Sequence, residues 1–111
     1  MMNRIEEIHK FLEETPNDPF LHYALTMEYV KLEELDTARD LFQKLVDEYG
    51  DYVGTYYHFG KLLEKVNEKD YALTIYQKGI EIARSKRNFH ALNELQGAYN
   101  LASGLDEDDD Y

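Results

Sequence analysis

Histidine is the side chain in this sequence best suited to bind a metal or to move protons near neutral pH. The four histidines are His9, His22, His58 and His90. Two histidines on one helix must lie three or four residues apart to share a metal ion, and no pair here has that spacing. His22 and His58 each fall on a predicted helix, where we expect surface or partly buried packing rather than a metal site.

The other reactive side chains form no catalytic constellation. Ser85 and Ser103 have no base near them in the sequence, and the chain has no cysteine and no glycine-rich phosphate loop. Adjacent acids such as Glu33 and Glu34 are typical of solvated turns and helix faces. The sequence therefore predicts a protein that is not an enzyme and that has neither a metal nor a cofactor.

The charge of the chain argues against two further classes of partner. The 111 residues carry a formal net charge of −11, and five of the negative charges lie in DEDDD at 106–110. An acidic surface repels phosphate backbones and anionic lipids, so we expect neither nucleic acid nor a membrane as partner. The absence of cysteine and of a signal-like start fits a cytoplasmic protein.

Six helices are predicted before the acidic segment. The predicted N-cap residues are Asn3, Asp18, Asp36 and Asp70. Pro19 suits the first helical position, and a second helix is predicted to end near Lys31. Gly50 and Gly104 are predicted to stop the third and the sixth helix.

One segment of the sequence recurs after 34 residues. DTARDLFQKL at 36–45 is followed by DYALTIYQKG at 70–79, with Asp, Ala, an aromatic residue, Gln and Lys in the same places. Helix pairs repeating at this spacing indicate stacked helical repeats. Gly60 and Gly79 lie inside predicted helices, where glycine costs about 1 kcal/mol relative to alanine. We therefore expect close helix crossings at both positions.

The sequence resembles the tetratricopeptide repeat (TPR) family, in which a 34-residue helix pair carries small and aromatic residues at set positions. Two full repeats match, about 19–52 and 53–86, and the segment before Pro16 resembles the second half of an earlier repeat. The resemblance implies an all-α, right-handed superhelix of antiparallel helix pairs in a single domain, 1–104, with a C-terminal capping helix. The residues expected to pack the repeats are Leu25, Tyr29, Ala38, Phe42, Phe59, Gly60, Ala72, Tyr76 and Gly79.

In the TPR family the first helices of successive repeats line a concave groove that holds a peptide or a partner protein. Carried over to this chain, the groove is lined by Phe20, Tyr23, Met27, Val30, Gly54, Tyr57, Lys61, Glu64 and Lys65. The aromatic content favours an apolar or aromatic peptide. Lys61 and Lys65 either hold a carboxylate of that peptide or pair with nearby acids. One TPR subclass grips the C-terminal carboxylate of chaperones with Lys, Asn and Arg at fixed positions. Tyr23, Met27 and His58 occupy three of those positions here, so that clamp is absent.

Two functions follow from the resemblance. The first is a non-catalytic adaptor or scaffold that binds a peptide or partner protein in the groove. The alternative is a structural protein that forms a homodimer through its terminal helices, with Ile5 and Ile8 at the interface. Residues 105–111 are expected to form a disordered acidic tail, either a solubilising end or a lure for basic partners.

Overall fold

The computed structural model describes residues 2–104, which contain six α-helices and no strand. The helices are α1 (Arg4–Glu14), α2 (Pro19–Lys31), α3 (Leu35–Glu48), α4 (Gly54–Lys65), α5 (Lys69–Ser85) and α6 (Phe89–Ala102). The prediction of an all-α chain is confirmed. The predicted acidic tail, 105–111, lies outside the described residues. Across residues 2–104 no helix combines the length and the apolar character needed to cross a membrane.

The first two helices begin at the predicted N-caps. The Asn3 side chain accepts a hydrogen bond from the Glu6 N–H at 2.9 Å, and the Asp18 side chain accepts one from the Phe20 N–H at 2.9 Å. Pro19 occupies the first position of α2, where its missing N–H costs no hydrogen bond. These caps satisfy backbone donors that have no partner inside the helix.

The N-caps predicted for α3 and α5 are wrong. The N-cap positions are Glu34 and Glu68, and neither side chain makes a capping hydrogen bond. Asp36 and Asp70 lie inside the first turn, where a carboxylate stabilises the positive end of the helix dipole. A first-turn acid and an N-cap acid look alike in a sequence.

The turns that follow α2, α4 and α5 share one backbone geometry. Glu33, Asn67 and Arg87 take positive φ angles of 58°, 66° and 56°. The next N–H then bonds back to a carbonyl five residues earlier, as in Glu34 N to Tyr29 O at 3.0 Å, and the other two turns do the same. This Schellman motif makes the last residue of each turn the N-cap of the next helix. It explains why α3 and α5 begin before their predicted caps.

The helices α3 and α6 both end directly before the glycines that were predicted to stop them. The helix α3 ends at Glu48, with Tyr49 at φ −134° as C-cap. The helix therefore stops directly before Gly50, as predicted, although Gly50 does not adopt a positive φ. Gly104 has a φ of 82° after α6, in agreement with its predicted role.

The helices group into two compact units, Met1–Tyr52 and Val53–Tyr111. In the first unit α2 packs against both α1 and α3. In the second unit α5 packs against both α4 and α6, and α4 also contacts α6. The boundary between the units falls where the two predicted repeats meet.

Each unit has its own buried residues. Eight of the nine residues predicted to pack the repeats are buried, and Tyr29 is partly exposed. In the first unit the fully buried side chains include Ile8, Ala38 and Phe42. The core of the second unit is Tyr56, Phe59, Leu62, Leu63, Ala72, Ile75, Tyr76, Ile80, Ala83, Leu95, Ala98 and Ala102.

Two glycines set how closely α4 and α5 approach each other. A Cβ added to Gly60 would fall well under 3.0 Å from the ring of Tyr76, and one added to Gly79 would lie 2.5 Å from the Cβ of Tyr56. Real Cβ atoms do not make such contacts. A glycine is therefore required on each helix at the point where an aromatic side chain of the other helix crosses it.

A matched pair of glycine substitutions tests this crossing. Gly60→Ala is expected to lower the free energy of unfolding by about 1–3 kcal/mol, because the new methyl group overpacks against Tyr76. Gly97→Ala is expected to raise it by about 0.5–1 kcal/mol, because Gly97 lies in α6 with open space around it and alanine is the better helix former. Urea unfolding followed by circular dichroism measures both values. Shifts of the same sign would contradict the close crossing.

Candidate functional site

The predicted groove residues of the first unit follow one face of α2. Phe20, Tyr23, Met27 and Val30 are spaced by three or four residues, which places them on one side of the helix. Phe20 is 54% exposed, and the other three side chains are partly buried. This set, named here the α2 face, is an apolar and aromatic stripe that solvent reaches.

Tyr23 is supported by a second tyrosine that the sequence analysis did not select. The rings of Tyr23 and Tyr52 lie 5.6 Å apart between centroids, tilted by 47°. Burial raises the pKa of both hydroxyls, with a further contribution from Tyr52 at Tyr23 and from Asp18 at Tyr52. Tyr52 lies outside the helices, so helical periodicity could not find it. Its place at the end of a repeat was the available signal.

His22 has a structural role in the first unit. Its ring stacks on Tyr49 at 5.2 Å between centroids, and its Nε2–H donates to the carbonyl of Pro16 at 2.7 Å. The Tyr49 hydroxyl donates to the Asn17 side chain at 3.4 Å. These contacts tie the turn after α1 to the end of α3. Within residues 2–104 there is no group of three or more His, Cys, Asp or Glu side chains placed to hold a metal ion.

In the second unit, α4 carries a cation on an aromatic ring. Lys61 Nζ lies 5.6 Å from the ring centroid of Tyr57. Lys61 is exposed, and Tyr57 is partly buried. A cation at this distance is attracted to the face of the ring. Tyr57 and Lys61 are named here the α4 face, because one helical turn separates them on the same side of α4. Lys65, one turn further, is also exposed.

Glu64, the remaining predicted groove residue of α4, bonds to the core. It is partly buried, and its Oε2 accepts a 2.5 Å hydrogen bond from the Tyr76 hydroxyl. Burial, followed by this hydrogen bond and the carboxylate charge, raises the pKa of Tyr76 far above its usual value of 10.0. The phenol therefore stays protonated and keeps donating. Glu64 helps to hold α5 on α4, whatever else it contacts.

His58 is half-buried beside Tyr57 in the second unit. The two rings meet edge to face, with 5.3 Å between centroids. Burial lowers the pKa of His58 below 6.5, and the carboxylate of Glu94 opposes this shift. Its imidazole is therefore mainly neutral at pH 7.

The surface predicted for a homodimer is wrong at one of its two residues. Ile8 is fully buried in the first unit, and Ile5 is partly buried. The exposed apolar side chain of α1 is Phe11, which is 51% exposed. A shallow surface cavity of about 360 Å³ is lined by Met2, Glu7, Lys10, Phe11, Glu13 and Glu14. Ile8 does not line this cavity, and a fully buried side chain offers no surface to a second copy.

The repeating helices and turns define an all-α helical-repeat protein. The chain is similar to a tetratricopeptide repeat domain protein from Salinibacter ruber. The crystal structure of that protein has 46% sequence identity and a TM-score of 0.77, over 79% of this chain and 99% of that chain. Its solution structure has 47% identity and the same TM-score, over 81% of this chain and 91% of that chain. This chain belongs to the tetratricopeptide repeat family, which confirms the resemblance seen in the sequence.

A further comparison concerns the fold alone. The solution structure of a protein from Bordetella parapertussis covers 100% of this chain and 99% of its own, with 19% identity and a TM-score of 0.79. No family model matches the sequence, and no curated protein matches it significantly.

The Tyr76–Glu64 hydrogen bond can be tested against the apolar pair of the other repeat. Phe42 and Val30 stand 34 residues before Tyr76 and Glu64. Tyr76→Phe is expected to lower the free energy of unfolding by about 1–2 kcal/mol, because Glu64 loses a donor in a partly buried place. Adding Glu64→Val is expected to restore part of that loss. Urea unfolding at pH 7 measures both variants, and a double variant less stable than Tyr76→Phe would contradict the assignment.

The same bond predicts a loss of stability in alkali. The folded-state pKa of Tyr76 is raised, so its contribution is complete below pH 10 and falls as the pH rises above that value. The stability of the wild type is therefore expected to decline more steeply above pH 10 than that of Tyr76→Phe.

The burial of His58 predicts a titration midpoint below pH 6.5 in the folded protein, because burial disfavours the imidazolium ion. In Glu94→Gln the midpoint is expected to fall further, since the carboxylate that favours the charged form is removed. NMR of the imidazole Cε1–H resonances measures both midpoints. His58 then contributes stability that is complete above pH 6.5 and declines at lower pH. A midpoint at or above 6.5 would show that the ring is solvated.

Proposed function

We propose that this protein is a non-catalytic interaction module, an adaptor or scaffold that binds a peptide segment of a partner protein through the first helices of its two repeats. Membership of the tetratricopeptide repeat family supports a protein partner in general. The observation that carries the proposal is the α2 face, where Phe20 is 54% exposed on the same side of the helix as Tyr23 and Met27. A helix face that served only as a solvated surface would carry polar side chains there.

The α2 face suits an apolar or aromatic side chain of the partner. Phe20 and Met27 offer contact area, and methionine adapts to irregular surfaces. Tyr23 is held by Tyr52, so less conformational entropy is lost when a ligand contacts its ring. A tyrosine hydroxyl is neutral at pH 7, and burial raises the pKa of Tyr23 further above 10.0. This surface therefore recognises shape and apolar area rather than charge.

The α4 face suits a different group of the partner. Lys61 lies over the ring of Tyr57, so its ammonium group is positioned on an aromatic surface. A carboxylate placed there would bond to Lys61 while the neighbouring apolar atoms pack on Tyr57. Glu64 meets Tyr76 inside the unit and Lys61 meets Tyr57, so these two residues have different contacts. We therefore propose that the bound segment carries an acidic group near an apolar or aromatic residue.

Peptides selected from a random display library on the wild type provide the test. Phe20→Ala, and separately Tyr57→Ala with Lys61→Ala, are expected to weaken binding of the selected peptides by about tenfold or more, as truncation of central contact residues does. Fluorescence anisotropy measures the affinities, and circular dichroism checks that the helices persist.

Two exposed apolar residues outside these faces are the controls. Phe11 is 51% exposed on α1, and Leu101 is 54% exposed on α6. Phe11→Ala and Leu101→Ala remove exposed apolar area elsewhere on the surface and are expected to leave binding unchanged. Peptides that lose affinity only in these control variants would place the binding surface elsewhere and overturn the proposal.

A further inference from the structure

The turn between α5 and α6 carries the opposite charge to the rest of the chain. Residues 71–93 contain four basic residues and one acid, Glu81, a local charge of +3 in a chain of net charge −11. Three of the four cations lie within four consecutive residues, at Arg84, Lys86 and Arg87, and all three are exposed. They are named here the basic turn.

An exposed aromatic ring adjoins the basic turn. Phe89 is 55% exposed at the first position of α6, and the guanidinium carbon of Arg87 lies 5.8 Å from its ring centroid. Between them, the Asn88 side chain accepts a hydrogen bond from the Ala91 N–H at 3.1 Å, which holds the start of the helix. The patch therefore offers positive charge and apolar area side by side.

Helix stability accounts for part of this charge but not for Arg87. Arg84 and Lys86 lie at the carboxyl end of α5, where cations stabilise the helix dipole. Arg87 also adjoins the amino end of α6, where a positive charge is unfavourable. It adopts a φ of 56°, and the corresponding residues in the other two turns are Glu33 and Asn67. The backbone of this turn therefore does not require an arginine.

We propose that the basic turn binds the acidic C-terminal segment LDEDDDY, 105–111, of a second copy of this chain. The segment has five acids and a terminal tyrosine. Its carboxylates complement Arg84, Lys86 and Arg87, and its tyrosine complements Phe89. At physiological salt, charges more than about 8 Å apart are largely screened. The overall repulsion between two acidic chains is therefore weakened, while charges in direct contact still attract.

Chain length favours a second copy over the same chain. The 14 residues of α6 span about 21 Å and separate the basic turn from Gly104. The seven residues that follow Gly104 reach at most about 25 Å when fully extended. Within one chain only the last residue or two of the segment would arrive at the turn, and most of the acids would not. The segment of another copy is not attached to this α6, so all of its acids can reach the basic turn.

The first test uses a fluorescein-labelled peptide of sequence LDEDDDY and the full chain. Anisotropy is expected to show saturable binding that weakens as salt rises from about 50 mM to about 500 mM. The same peptide with every Asp replaced by Asn and Glu by Gln is expected not to bind. Absence of binding by the acidic peptide would overturn the proposal.

Variants of the full chain locate the binding surface. Arg84→Gln with Arg87→Asn is expected to weaken peptide binding by about five- to tenfold, and asparagine tolerates the positive φ of residue 87, so the fold is retained. Lys10→Gln with Lys44→Gln removes the same charge from exposed positions of the first unit and is expected to have little effect. Equal losses in the two double variants would overturn the assignment to the basic turn.

Sedimentation of the full chain tests for the second copy. The wild type is expected to associate at high protein concentration, and Asp108→Asn with Asp109→Asn and Asp110→Asn is expected to remain monomeric. A wild type that stays monomeric at every concentration while the peptide still binds would overturn the second copy as occupant.

A thymidine oligonucleotide of similar charge that bound more tightly than the peptide would make the patch a nucleic-acid site instead. Arg84 and Arg87 lie outside the α2 face and the α4 face, so the effect of their substitution is separate from the function proposed above.

Discussion

The structure of the second unit depends on the contact between Tyr76 and Gly60. Because Gly60 has no side chain, the Tyr76 ring lies directly across α4, and its hydroxyl reaches Glu64 one turn further along. The contact sets the separation of α4 and α5, and burial of the ring contributes apolar stabilisation. It also draws the Glu64 carboxylate towards the core, while Tyr57 and Lys61 remain at the surface of the same helix.

The first repeat has different side chains at the positions that form this contact in the second repeat. Thirty-four residues before Gly60, Glu64 and Tyr76 stand Thr26, Val30 and Phe42. Thr26 is buried, and its hydroxyl donates to the His22 carbonyl at 2.8 Å within α2. Phenylalanine needs no acceptor, so an apolar valine can replace the glutamate. The exposed faces of α2 and α4 also differ, since Met27 of α2 stands at the repeat position that Lys61 occupies in α4. One backbone pattern therefore presents an apolar surface on α2 and a charged aromatic surface on α4.

The sequence predicted most of the helices and failed where the deciding interaction was not periodic. The helix α2 begins at Pro19 and ends at Lys31, as predicted. Its start is easy to recognise because an N-cap followed by proline is a strong local signal. Gly60 also stood out, since a glycine inside a helix needs a reason. Tyr52 was missed because it lies between helices and acts through a contact with Tyr23. Ile8 was assigned to an outer surface because periodicity shows that a helix has an apolar face but not which neighbour covers it.

The three Schellman turns show why surface chemistry varies more freely than the fold. Each turn is held by backbone hydrogen bonds, such as Asn88 N to Ala83 O at 2.9 Å. Because backbone groups make these hydrogen bonds, glutamate, asparagine and arginine can each occupy the positive-φ position. A non-glycine residue there carries a modest backbone cost in every case. The turn residue therefore sets the local charge of the surface, from acidic at Glu33 to basic at Arg87, while the helix connection stays the same.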